Sequence, residues 1–266
     1  MRGVRALLVL APWLVACNDS RPFHCFVDDQ CGAGAGGGAR CEPDGYCSFA
    51  DSTCASGRRF GAQSPGQLAN TCVAASTDDG GLEPGDEIVP AAASGDTVLD
   101  QAQPAAVLGG ARTMRVDAVP LQNGLLRFAP SIPAGAVLKR AELVIHVTGD
   151  GQLDDGVVRL YAVTEAWEEA AATWRLRAPG TPWSAEGAGP ASRGAQPIAS
   201  FDPQNANRDY TVRLPTDLVA RWISDPAQNH GMVLTIANSA DQGCTFVTRE
   251  DPDMALRPRL LLRYRR

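Results

Sequence analysis

The sequence predicts an all-β chain: a jelly-roll-like β-sandwich preceded by a small disulfide-rich module. Three observations predict it. Short apolar runs alternate with turn residues throughout, in a chain carrying 27 Gly and 19 Pro among 266 residues, the composition of short strands and tight connections. Six of the eight cysteines crowd into residues 25–72, as in small modules that disulfides hold together. Only one stretch, near 216–224, has the spacing of an amphipathic helix. The longest apolar run, 6–15, is well short of the ~20 residues a spanning helix needs, which excludes a polytopic membrane protein. A formal net charge of −6 argues against a general nucleic-acid binder.

The first element is an export signal. Arg2 and Arg5 precede the apolar run 6–15, and small residues follow it, the three parts of a secretory leader spanning 1–16. Leu14-Val15-Ala16-Cys17 resembles a bacterial lipobox. That resemblance implies a diacylglyceryl thioether on the Cys17 sulfur, a tether over 17–24, and anchoring by more than one acyl chain, which is lasting where a single chain is marginal. Asn18, where an Asp would favour inner-membrane retention, points to the outer membrane or cell surface.

Residues 25–73 form the second element. Cys25, Cys31, Cys41, Cys47, Cys54 and Cys72 lie among few large apolar residues (Phe26, Val27, Tyr46, Phe49, Phe60 and Leu68). So small a core cannot hold such a segment, and three disulfides are expected to do so, each contributing on the order of 3 kcal/mol. A zinc site is the weaker alternative, because no Cys-x-x-Cys occurs and His24 is the one nearby imidazole. Six cysteines allow fifteen pairings, and the spacing selects none of them. The segment resembles Cys-rich modules that follow lipoboxes in bacterial surface lipoproteins, which implies a spacer or presentation role.

Residues 74–95 carry Asp78, Asp79, Glu83, Asp86 and Glu87 with no base, and read as an acidic flexible linker. The third element, 96–266, is long enough for one full core. Strands are expected at 97–99, 113–116, 125–128, 137–148, 157–163, 232–237, 245–248 and 260–264. Ala141, Leu143, Ile145 and Val147 alternate onto one face, and Gly149-Asp150-Gly151 marks a turn that makes 137–148 and 157–163 a hairpin. Leu218, Val219 and Trp222 place one helix over 216–224, capped by Thr216. Residues 184–208, rich in Gly, Ala, Pro, Ser and Asn, are expected to form a long loop.

An ordered series of motifs runs along 96–266. It comprises Asp96-Thr97-Val98, Leu108-Gly109-Gly110, Met114-Arg115-Val116, Leu125-Leu126-Arg127-Phe128, Ile132-Pro133-Ala134-Gly135 and Ala141-Glu142-Leu143. It continues with the stretch from Tyr161 to Trp167-Glu168-Glu169, then Thr173-Trp174, Val219 to Trp222, Gly231 and Pro258-Arg259-Leu260. In order and spacing this series resembles the DNRLRE-domain family, also classed as carbohydrate-binding module family 96. The resemblance implies a β-sandwich attached to extracellular or surface proteins, and binding of acidic polysaccharide, alginate included, through basic residues early in the domain. In this chain that region offers Arg112 and Arg115, with Gln101 and Gln103 nearby.

Arginine suits a uronate carboxylate because its planar fork makes two parallel hydrogen bonds. Arg112 and Arg115 are therefore the leading carbohydrate-binding candidates, followed by Arg159, with Trp183 as a stacking platform beside the long loop. Trp167, Trp174 and Trp222 fit framework positions of the resemblance and are read as core. Glu165, Glu168 and Glu169 are read as a solvated acidic turn rather than a glycosidase pair, since neighbouring residues do not establish two flanking carboxylates. The run 150–156, with Asp150, Asp154 and Asp155, lacks the spacing of a calcium loop and reads as a hairpin tip. His146 and His230 have no partner in sequence, and Cys244 reads as a buried strand thiol. No nucleophile or metallohydrolase motif occurs, so no catalytic residue, metal or cofactor is assigned.

The expected function is non-catalytic binding of extracellular polysaccharide by a lipid-anchored surface protein, with uronate-containing chains among the candidates. The expected partners are that polysaccharide and, through the anchor alone, the membrane; nucleic acid is not expected. The alternative is a structural or protein-docking module of the envelope or extracellular matrix.

Overall fold

The computed structural model describes residues 25, 31–32, 38–42, 46–64, 68–73, 85–149, 157–203, 205–237 and 243–266. The export signal, Cys17 and the turn 150–156 lie outside these residues.

Three short antiparallel strands, β1 (Arg40–Cys41), β2 (Cys47–Ala50) and β3 (Arg58–Phe60), build the N-terminal sheet in the order β1-β2-β3. Three disulfides surround it: Cys25–Cys41, Cys31–Cys47 and Cys54–Cys72. The first two clip flanking chain onto β1 and β2, and the third closes the segment that carries β3. Cys25, Cys31 and Cys47, with Phe49 and Ala39 beside them, are the module's apolar centre. Arg58 ties it further, donating from Nε to Glu42 at 3.1 Å and to the Ser48 hydroxyl at 2.7 Å.

Ten strands form the large network: β4 (Asp86–Asp100), β5 (Thr113–Ala118), β6 (Leu121–Phe128), β7 (Val137–Val147), β8 (Val157–Ala162), β11 (Ala199–Phe201), β12 (Arg208–Leu214), β13 (Met232–Ala237), β14 (Gly243–Val247) and β15 (Arg259–Arg265). The remaining two, β9 (Leu176–Ala178) and β10 (Thr181–Pro182), make a separate small ribbon. The order is β11-β8-β13-β6-β4-β15-β7-β14-β5, with β12 on the free side of β7 and β5 also paired to β6. One long strand serves both layers. From Asp86 to Ala92, β4 pairs with β15; from Ala93 to Asp100 it pairs with β6, with a register shift between Ala93 and Gly95. Such a bulge bends a strand and re-aims it.

The interior lies between the two layers. Leu143 and Ile145 of β7, Leu260 and Leu262 of β15, and Val212 and Leu214 of β12 meet Leu126 and Phe128 of β6, Val158 and Leu160 of β8, and Met232 and Leu234 of β13. On β15 every second residue is buried, the period expected of a strand with one wet face. Helix α1 (Thr216–Ser224) places Val219 and Trp222 into the same core.

Four expectations need correction. The stretch 86–95 belongs to β4 and not to a linker. Its acids are paired across the sheet: Arg265 lies 2.8 Å from Asp86, and Glu87 accepts from the Tyr264 hydroxyl at 2.8 Å and lies 3.1 Å from Arg266 Nε. β7 and β8 do not form a hairpin, because β7 pairs with β12, β15 and β14 while β8 pairs with β13 and β11. Alternation identifies the buried face of a strand and leaves its partner open. The 184–208 segment contains a 3-10 turn (Pro190–Ser192) and strand β11, which buries Phe201. The residue preceding α1 is Pro215, with no side-chain cap, so Thr216 is the first helical residue.

Candidate functional site

The two outer faces of the sandwich differ in what covers them. Over β8, β13, β6 and the second half of β4, the strap 164–197 lays Trp167, Trp174 and Trp183 on Leu99, Leu125, Val163 and Val233. All three indole N–H groups are engaged: Trp167 donates to the His230 carbonyl at 2.8 Å, Trp174 to Glu186 at 3.1 Å and Trp183 to the Thr173 carbonyl at 3.0 Å. Gly187 has φ +67°, and a Cβ there would lie 2.4 Å from the Trp174 ring, so the strap passes closer than any side chain allows.

This corrects the reading of Trp183. It is 5% exposed and packs in the second core, so its faces are not offered to a sugar. Trp167, Trp174 and Trp222 are buried as the sequence implied.

Arg112 is exposed just before β5, and neither it nor Arg159 has an ion-pair partner among the described residues. Arg115 donates from Nε to Asp117 at 2.7 Å within the same strand. Arg115 and Arg159 lie on strands that do not pair, so the predicted set does not converge through the sheet. Among the acids, Glu168 is exposed and Glu165 binds the Ser184 hydroxyl and N–H. Glu169 is not solvated as expected: Arg249 holds both its oxygens, at 3.0 and 2.9 Å. Cys244 is a buried thiol on β14, pushed up to about 12 by burial.

The other outer face, formed by the first half of β4 with β15, β7 and β12, carries arginines that sequence spacing alone did not group. Cross-strand register arranges it in ranks. Ile88, Arg263 and Arg140 form one; Pro90, Leu261, Glu142 and Arg213 the next; Ala92, Arg259, Val144 and Thr211 the third; and His146 faces Asp209 beyond them. Arg140, Arg213, Arg259 and Arg263 thus share one sheet face with Glu142 and Asp209.

The carboxylates there organise their neighbours. Arg140 pairs with Glu142. Asp209 accepts from Arg259 Nη2 at 2.8 Å and lies 2.9 Å from His146 Nδ1. Partial burial works upward on the Asp209 carboxyl, but hydrogen bonds from His146 and Arg259 outweigh it and hold it below the usual carboxylate range. His146 therefore has a partner, supplied by β12, a strand whose alternating Tyr210, Val212 and Leu214 were the signal available in sequence. A guanidinium engaged by one carboxylate, as Arg140 and Arg259 are, has further N–H donors with which to bind another.

Neither a protein-family model nor a curated protein matches the chain.

Proposed function

We propose that the chain is a non-catalytic, lipid-anchored surface protein whose sandwich binds extracellular polysaccharide, with acidic chains the leading class. The observation that carries this reading is the arginine-ranked face of β4, β15, β7 and β12. It presents four guanidiniums and two carboxylates on adjoining strands, while the opposite face is covered by the strap. Neighbouring strands lie ~4.8 Å apart and outward residues along a strand ~6.8 Å apart, so the arginines form a two-dimensional grid suited to repeated carboxylates along a chain.

Three disulfides support export, since such bonds persist in oxidising compartments. Anchoring through Cys17 and placement at the outer membrane or cell surface belong to the same proposal. So does the likeness of 96–266 to DNRLRE domains, with the ligand face moved from Arg112 and Arg115 to the arginine ranks.

A second reading is favoured by the apolar members of the same face. Ile88 is 49% exposed and adjoins Pro90 and Leu261, which suits docking of another envelope protein. Affinity electrophoresis of the full-length protein through alginate, polygalacturonate and a neutral glucan separates the two. Salt-sensitive retardation by the acidic gels supports glycan binding; free migration in all three favours the docking module.

A further inference from the structure

On the strap side of the sandwich a group of three carboxylates has no role in the proposed face. Asp96 of β4, Glu169 of the strap and Glu250 of the turn after β14 each bring an oxygen to one spot, all within 4.8 Å of one another. Asp96 is 1% exposed. Its N–H donates to Glu169 Oε1 at 2.8 Å and its Oδ2 accepts from the Arg249 N–H at 2.8 Å. Its Oδ1 is buried without a hydrogen-bond partner, and so is Glu250 Oε2. Arg249 binds Glu169 through Nε and Nη2, and its Nε also lies 2.9 Å from Glu250 Oε1. Arg127, stacked over Trp167 at 4.7 Å, is the other positive charge acting on Glu169.

We propose that Asp96, Glu169 and Glu250 form a calcium site that fastens the strap and the turn after β14 to β4. Two buried carboxylate oxygens in one three-acid cluster, neither with a donor, call for a positive charge beside them, because an unpaired polar atom away from water costs ~1–3 kcal/mol and more when charged. Arg249 is directed at Glu169 and at Glu250 Oε1, leaving Asp96 Oδ1 and Glu250 Oε2 for another cation. Burial pushes the Asp96 carboxyl up to about 8, against the Arg249 N–H, with Glu250 and Glu169 adding to the rise.

The donor set selects the ion. It is all oxygen, which suits a hard cation and not zinc or copper. Oxygens on opposite sides of Ca²⁺ are about 4.6–5.2 Å apart, and across Mg²⁺ about 4.0–4.2 Å. The three ligands come from segments far apart in sequence, so binding would tie the strap, already packed on the second core, to β4 and to the turn after β14.

The test uses the full-length protein stripped of metal. Calcium at about 10 mM should raise Tm by about 3–6 °C, as for a site of ~1 mM affinity, with magnesium raising it less. Terbium should show emission sensitised by Trp167, displaced by calcium. Asp96→Asn and Glu250→Gln should each abolish both responses; should Asp96→Asn fail to fold, Glu250→Gln at the margin of the site gives the answer. Absence of a calcium shift and of terbium emission in the unmutated protein would overturn the proposal and assign a shared proton to the Asp96–Glu250 pair. A calcium shift undiminished in Glu250→Gln would also overturn it, by placing the ion elsewhere.

Discussion

Arg140 of β7 stands directly opposite Arg263 of β15. Like charges across a strand pair are destabilising, and Glu142 pairs with Arg140 beside them. Replacing Arg263 by Ala should weaken retardation by acidic polysaccharide ten-fold or more, since a charge-assisted hydrogen bond contributes about 1.5–3 kcal/mol. Affinity electrophoresis of the folded variant checks this, and retardation equal to that of the unmutated protein would contradict it.

Trp183 is a core residue, and its truncation should be felt in stability. Trp183→Ala is expected to cost about 3–5 kcal/mol in urea unfolding, with glycan retardation retained wherever the variant is folded. Gly187→Ala should also destabilise the protein, because its Cβ would meet the Trp174 ring at 2.4 Å in a backbone with φ +67°. An unfolding midpoint equal to that of the unmutated protein for either variant would contradict the strap packing.

Cys244, whose thiol burial pushes up to about 12, should resist a thiol reagent at neutral pH in the native protein and react once it is unfolded. Peptide mapping without reduction should recover the Cys25–Cys41, Cys31–Cys47 and Cys54–Cys72 links. Rapid native labelling of Cys244 would place β14 at the surface.

Asp209 contributes a pH dependence. Its folded pKa lies below the unfolded carboxylate value, so the stability it adds is present above that unfolded value and disappears as pH falls through the folded one. Asp209→Asn should flatten the acid limb of a Tm-against-pH curve relative to the unmutated protein. An unchanged acid limb would show that His146 and Arg259 do not hold the carboxylate.

Much of the fold is legible in sequence because apolar alternation is local: β7, β13, β15 and helix α1 fall close to where the pattern places them. What pairs with what is less legible. The acids of 86–87 resemble a linker until Arg265 and Tyr264, nearly 180 residues later, are brought beside them. Strand β12 has a clear period of two in Tyr210, Val212 and Leu214, yet it follows a Gly-rich stretch whose composition dominates a short window. The arginine face fails to show for the same reason. Arg140, Arg213, Arg259 and Arg263 come from three separate strands, and only register sets them side by side. Trp183 illustrates the converse, since a tryptophan beside a polar loop looks available until the loop folds over the sheet.

The most direct test of the central claim compares Arg140→Ala/Arg263→Ala with Arg112→Ala/Arg115→Ala in affinity electrophoresis against alginate at low and physiological salt. The arginine-face account predicts that the first pair abolishes retardation, that the second leaves most of it, and that salt weakens binding of the unmutated protein. Equal retardation of the unmutated protein and the Arg140→Ala/Arg263→Ala variant, or loss in the Arg112→Ala/Arg115→Ala variant alone, would contradict it.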